Sequence, residues 1–340
     1  MSCPTLTVII PGFNRVEPLK YTLRSVAAAA RVFREPVEIL LVDDGSGPPL
    51  SEQLAGFATG HTITHLHQIN AGSIVARRHG LDRAAGDYVL FLDSDDLVHP
   101  EKFQRQIAAM RATSADVSYS DMARASLGPD HSAAYTPAEQ LADSSAPADF
   151  YLRVQPVPHG PIYRRNYLLH ALSTLIVPAL RAMDPVGDVW LYYNLAPHPA
   201  RIVKVSAPLT AIGPHEEDRY SRHWEKLGLA ALQVAEAFVV NCLATPATLA
   251  ARIQVGESAF NSWRRLPRRF HADYERRALD IWRRSPRGPL ARLGGPLFQS
   301  LARVFGAAVA GHILRLRNPV YAHVHSLDED AYRRLFSSET

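Results

Sequence analysis

Cysteine is almost missing from this chain: Cys3 and Cys242 are the only two in 340 residues, and no CxxC pair exists. A disulfide framework and a cysteine-ligated zinc site are therefore not expected. Cys242 falls in an apolar helical pattern and reads as a core residue. No run of eighteen apolar residues is free of charge, so no transmembrane helix is expected. No signal peptide is visible either, because Met1-Ser2-Cys3-Pro4 runs straight into the first strand pattern. The expectation is a cytoplasmic protein, or one peripheral to the cytoplasmic face of a membrane. No GxGxxG follows the first apolar run, which argues against a dehydrogenase. No glycine-rich phosphate loop stands there, which argues against a sugar-phosphate nucleotidyltransferase. The arginines lack interleaved aromatic residues, so nucleic-acid binding is not expected.

Charge is abundant but unevenly placed. The whole chain carries +4, yet Arg264 to Arg317 holds thirteen arginines against Asp273, Glu275 and Asp280, a net of +10. The remainder is therefore at −6. The basic character belongs to the C-terminal part.

The apolar run Tyr88-Val89-Leu90-Phe91-Leu92 ends in Asp93-Ser94-Asp95-Asp96. Three carboxylates within four residues at a buried strand end repel one another and lose solvation. A hard divalent cation such as Mg2+ or Mn2+ relieves this, and such ions often bind through one or two carboxylates plus substrate phosphates. The alternative is a polar turn with Ser94 or Asp95 capping the next helix. Two further strand ends bear on the choice. Val37–Val42 ends in Asp43-Asp44-Gly45-Ser46, and Leu6–Ile10 ends in Pro11-Gly12-Phe13-Asn14-Arg15. Each apolar run is followed by a helical pattern, the rhythm of a parallel sheet with crossover helices. Ligands of such sheets lie beyond the carboxyl ends of the strands. The three polar ends should face one crevice, a site for a nucleotide, its phosphates and a metal.

Strands are expected over 6–10, 37–42, 62–67, 88–92, 117–121 and 201–206. Helices are expected over 16–34, 49–58, 73–85, 100–111, 164–172 and 188–196, with Pro100 in a first turn. Residues 125–149, rich in Ala, Ser, Pro and Asp, read as a loop. From Ser221 onward the patterns are helical, with Leu227, Ala231, Val234, Ala235, Phe238 and Cys242 on one face and Thr245-Pro246 opening another helix. The division expected is 1–222, with a nucleotide-binding half 1–122 and an acceptor half 123–222, followed by a helical, arginine-rich region 223–340.

VIIPGFNR, LLVDDGS, NAGSIVARRHGLDRAAGDYVLFLDSDD and GDVWL, in that order, resemble the family 2 glycosyltransferases. The resemblance is strong over 5–121, legible to about 222, and does not cover the last third. It implies an α/β GT-A fold, a mostly parallel sheet flanked by helices, and inverting transfer from a nucleotide sugar with Mn2+ or Mg2+. It also implies a glycan or glycolipid acceptor. Carried onto this chain, it puts Asp43 on the base, with uracil and hence a UDP-sugar implied, and Asp44 in the same donor-binding turn. Pro11, Phe13 and Asn14 form the floor, with simple packing the alternative for Phe13. Arg15 lies near the phosphates, and Arg77 and Arg78 lie in the segment crossing under the donor. Relatives usually carry Asn where Arg78 stands, which leaves its role open. Asp93 falls near the ribose, Asp95 on the metal, and Asp96 in a capping or supporting place. His215 is a metal ligand or a surface residue.

Inverting transfer needs one base within reach of the attacking hydroxyl. Asp188 matches the second acid of the family's ED pair, with Gly187 where Glu is usual. The alternative is a helix N-cap, with Asp184 as the fallback base. Trp190 offers a stacking face or packs, and His159 sits in a tight turn at the acceptor entrance. Near the C-terminus Leu297, Leu301, Val304, Phe305, Ala308, Val309, Ile313 and Leu316 recur at helical spacing among Arg303, His312, Arg315 and Arg317. Such a basic amphipathic segment suits an anionic inner-membrane surface, or packs on a neighbouring domain with its arginine stems covering apolar surface. Helices 224–263 form a homodimer interface or a C-terminal subdomain. The non-enzyme alternative is a nucleotide- or carbohydrate-binding protein that has lost turnover.

Overall fold

The computed structural model describes residues 3–214, 224–266 and 270–316, with Arg334. The chain packs as two compact units, Met1–Thr174 with Pro199–Glu217, and Leu175–His198 with Asp218–Thr340.

The first unit is built on a nine-stranded mixed sheet. Its N-terminal half alternates β1 (Leu6–Gly12), α1 (Val16–Phe33), β2 (Val37–Asp43), α2 (Leu50–Gln53), β3 (Ile63–His67), α3 (Ser73–Arg83) and β4 (Tyr88–Phe91). These four strands lie parallel in the order β3-β2-β1-β4. Period-two alternation gives each strand two apolar faces. Leu6, Val8 and Ile10 of β1 join Leu19, Leu23 and Val26 of α1 in one core. Ile9 points the other way, toward α3. There a Cβ on Gly80 would lie 2.4 Å from the Ile9 side chain, so only glycine allows this approach. Register decides where the strand ends fall. Gly12 pairs with Asp43 and Asp43 with His67. Phe91 pairs with Ile9, so the turn opening at Asp93 starts beside Pro11.

The second half continues with β5 (Leu97–Val98), α4 (Lys102–Thr113), β6 (Val117–Leu127) and β7 (Ala133–Pro137). A short helix α5 (Pro147–Asp149), β8 (Ile162–Arg164) and α6 (Arg165–Ala171) follow. β8 runs antiparallel to β4 and β6. Several expectations are corrected here. Residues 125–149 are not one loop, because β6 runs to Leu127 and forms a hairpin with β7, Ala125 opposite Tyr135. The alternation is present, with Ala123 and Ala125 buried between exposed Arg124 and Ser126, but alanine carries it and alanine is a poor strand signal. The helix expected over 49–58 ends at Gln53, and Gly56 turns the chain with φ +82°. α4 begins at Lys102, with Pro100 in the turn before it. Strands β5 and β8, of two and three residues, are too short to show a pattern.

In the second unit a 3-10 segment, Arg181–Val186, leads into α7 (Gly187–Leu195). The chain returns to the sheet as β9 (Ile202–Ile212), parallel to β6 and twice the expected length. The second unit then resumes with α8 (Trp224–Asn241), α9 (Leu249–Arg265), α10 (Ala272–Arg284), α11 (Pro296–Phe305) and α12 (Ala307–Arg315). The face expected on α8 is largely inward: Val234, Ala235, Phe238 and Cys242 are buried. α9 starts three residues past the expected cap, because Thr245 and Thr248 bond each other in a turn that precedes it. Phe260 meets Trp263, Trp282 and Phe298 in an aromatic core. No described helix is long and apolar enough to cross a membrane.

Candidate functional site

Three turns leave the carboxyl edge of the parallel strands and are stitched together. The Asn14 N–H donates to the Ser46 hydroxyl (2.9 Å), and Asn14 Oδ1 accepts the Gly47 N–H (3.1 Å). Asn14 holds φ +52°, a left-handed conformation that asparagine tolerates better than most residues. Phe13 is exposed beside it. Gly45 also holds a positive φ, and a Cβ there would meet the Asn70 backbone nitrogen at 2.8 Å.

The acids of the β2 turn are buried and held by N–H donors. Asp43 accepts the backbone N–H of Ser46 (2.9 Å) and of Leu50 (2.8 Å). Burial pushes its carboxyl upward, but these hydrogen bonds outweigh it and hold the pKa below the ordinary value. Asp44 accepts from Gln68 (2.8 Å) and from the backbone N–H of Ala71 (2.8 Å) and Gly72 (2.9 Å). Asp44, expected among the donor-binding residues, ties the β2 turn to the start of α3.

The acids after β4 meet side-chain cations. Arg15 reaches Asp95 at 2.7 Å, and the buried Arg77 bonds Asp93. Asp93 and Asp95 keep 30% and 17% of their side-chain surface open. Two carboxylates in one turn are hard oxygen donors of the kind that divalent cations take. Among the described residues no three His, Cys, Asp or Glu side chains converge as a ready-made cage. His215 lies outside the described residues.

Asp96 turns inward. It accepts the Gly213 N–H (2.9 Å) and faces His159 Nδ1 at 3.1 Å, while His159 Nε2 donates to the Ala211 carbonyl (3.0 Å). His159, expected at an acceptor entrance, is fully buried. The neighbouring Lys102 was not singled out by the sequence. Its ammonium is completely buried and donates to the Gly160 carbonyl and the Thr210 hydroxyl, both at 2.8 Å. Burial pushes its pKa well below the ordinary value. The signal was available: Lys102 and Gln106, four apart, flank the Phe103–Ile107–Met110 stripe that faces the core. With β5 pairing β9, these bonds clamp the Asp93–Asp96 turn to the end of β9.

Asp188 belongs to the second unit, in the first turn of α7, where its carboxylate accepts the Val189 N–H (2.8 Å) and is half-buried. Trp190 is a core residue. Its indole N–H donates to the carbonyls of Val177 and Pro178, both at 3.0 Å, and only 2% of the residue is exposed, which leaves no face for a sugar.

Residues 7–168 match the model described as Glycosyl transferase family 2. The chain is 38% identical over 117 residues to the succinoglycan biosynthesis protein ExoW of Rhizobium meliloti, covering 33% of this chain and 35% of that protein. It is 32% identical over 106 residues to the undecaprenyl-phosphate 4-deoxy-4-formamido-L-arabinose transferase of Yersinia enterocolitica, covering 30% and 32%. The chain thus spans about a third of these relatives, and only 15–17% of the length of three rickettsial proteins that it also matches. The fold is similar to that of S. aureus TarS 1–349, solved in complex with UDP-GlcNAc. That likeness has a TM-score of 0.61 at 18% identity and covers 97% of this chain and 92% of that one. The architecture is of the GT-A type expected, with a helical C-terminal region.

Proposed function

We propose, from the match of residues 7–168 to the Glycosyl transferase family 2 model, that the protein is an inverting, metal-dependent glycosyltransferase. It moves a hexose or N-acetylhexosamine from UDP to a hydroxyl of a glycan or glycolipid, in the synthesis of a cell-surface polysaccharide. The observation that carries the reading is the β4 turn, where Asp93 and Asp95, partly open and paired with Arg77 and Arg15, lie beside Pro11–Arg15 at one sheet edge.

In this reading the base rests over Pro11, Phe13 and Asn14, next to Asp43, whose carboxylate retains lone pairs beyond those used by Ser46 and Leu50. Arg15 and Arg77 orient the diphosphate, and Asp93 holds the ribose. Asp95, with His215, would hold Mn2+ or Mg2+. When bound, such an ion offsets charge on the departing diphosphate. Asp188 accepts the proton of the acceptor hydroxyl as that oxygen attacks the anomeric carbon opposite the diphosphate. The carbon–oxygen bond to UDP breaks, and its electron pair leaves with UDP. The name of the Yersinia relative, with its polyprenyl phosphate, supports a lipid-borne acceptor and a peripheral place at the cytoplasmic membrane face.

The test is a thermal-shift screen of nucleoside diphosphates with and without Mn2+, followed by a transfer assay. A ligand that binds only the folded state raises its unfolding midpoint. A metal-dependent shift with UDP is expected, and no shift with any nucleotide overturns the reading. Asp188→Asn should keep UDP binding and lower transfer by about 10²–10⁴-fold. A wild-type chain that binds UDP and transfers nothing would be the binding protein instead.

A further inference from the structure

The apolar residues that recur along 297–316 suit, by their spacing, either a bilayer surface or packing on a neighbouring domain. The structure turns most of them outward. α11 and α12 pack inward through Phe298, Ala302, Ala310 and Gly311. The inward approach is close enough that a Cβ on Gly311 would lie 2.5 Å from the Trp263 ring. Outward stand Leu297, Val304, Phe305, Val309, Ile313 and Leu316, exposed by 37% to 73%. These are six of the fourteen exposed large hydrophobic residues of the described chain, gathered within twenty positions. Single exposed apolar residues need no explanation, but a cluster of this kind marks a surface that is covered in use.

We propose that this outward face docks on an anionic lipid bilayer. Charge selects the occupant. The face lies within the Arg264–Arg317 stretch of net +10, and Arg303 stands exposed on α11 between Ala302 and Val304. Arg265, Arg283, Arg284, Arg287 and Arg292 are exposed on the same unit. Arg315 is not among them: it is buried, bonded to Glu275 (2.8 Å) and stacked over Trp263. An apolar face with exposed arginines matches a bilayer interface, where side chains enter the acyl boundary and each basic residue near an anionic surface adds attraction. A second copy of this chain would instead bring another +10 stretch against the first. The benefit of such docking, enrichment of the enzyme where lipid-borne acceptors lie, rests on the transferase reading; the docking itself does not.

The experiment is co-sedimentation of the full chain with phosphatidylcholine vesicles, with and without phosphatidylglycerol, at low and high salt. Wild type should bind the phosphatidylglycerol vesicles, more weakly at high salt. The double substitution V304D/F305D should lower the partition coefficient at least about tenfold, by removing apolar insertion and adding repulsion. Both positions are exposed, so the unfolding midpoint and UDP binding should stay at wild-type values. UDP binding is read in parallel, so failure of the nucleotide reading and failure of docking are separate results. A wild type that binds neither vesicle overturns the proposal, and a dimer dissociated by V304D/F305D would then assign the face to a second copy. A double variant that binds like wild type overturns it equally.

Discussion

Two acidic turns leave parallel strands of the same sheet, one on either side of β1, and they are built in opposite ways. After β2, Asp43 and Asp44 are buried and held chiefly by backbone N–H groups, which cannot move without moving the chain. After β4, Asp93 and Asp95 are partly open and held by the side chains of Arg77 and Arg15 rather than by backbone. A carboxylate satisfied by backbone amides is part of the architecture. One opposed by a side-chain cation at the mouth of a strand can exchange that partner for a ligand. Sequence proximity of acids does not separate these cases; the identity of the hydrogen-bond donor does.

Substitutions sharpen this contrast, starting with the largest effect. Asp95→Ala should lower transfer by about 10²–10³-fold, the scale of removing one preorganised electrostatic contact. The Arg15–Asp95 ion pair it removes is partly exposed, so chemical denaturation should show a change of no more than about 1 kcal/mol. Asp44→Ala should do the reverse. It strands the N–H groups of Ala71 and Gly72 and should cost about 2–4 kcal/mol in urea unfolding, with UDP affinity of the folded protein little changed. A large loss of UDP affinity without loss of stability would break the comparison.

Lys102→Met tests the clamp that holds the β4 turn. It should cost about 1–3 kcal/mol, since the Gly160 carbonyl and Thr210 hydroxyl lose a donor. Its pH signature has a definite sign. The folded-state pKa is lowered, so between it and the ordinary value of 10.5 the unfolded chain holds a proton that the folded chain has released. Stability of the wild type should therefore rise with pH through that window, and urea titrations across it should show a flatter slope for Lys102→Met. The smallest effect is expected from Asp43→Asn. The folded-state pKa of Asp43 is depressed, so its contribution is present above the unfolded value of about 3.9 and is lost as pH falls through the folded one. Acid unfolding of the variant should lack that component.

The parallel half of the sheet was legible because Val, Ile and Leu runs end abruptly at polar residues, as at Ile10-Pro11, Val42-Asp43 and Leu92-Asp93. The other half was not. β6 and β7 hide their alternation in alanine, and β5 and β8 are held by pairing to distant strands rather than by local preference. Of the candidate site, residue types and the order of turns were readable, whereas the difference between Asp44 and Asp95 depends on Gln68, Ala71 and Gly72 against Arg15. Lys102 was hidden by its charge, since a lysine is seldom read as a core residue. The basic amphipathic character of 297–316 was legible, but not which residues turn inward, because Phe298, Ala302, Ala310 and Gly311 pack by close approach to Trp263 and its neighbours rather than by hydrophobic spacing.

The central claim, that Asp95 of the β4 turn serves the chemistry and Asp44 of the β2 turn serves the fold, is tested most directly by calorimetric titration of UDP into wild type and Asp95→Ala, each with and without Mn2+. The account predicts that Mn2+ strengthens UDP binding to wild type, and that Asp95→Ala loses this enhancement while keeping its unfolding midpoint. An Asp95→Ala protein that binds UDP with the same affinity and the same metal dependence as wild type would contradict it.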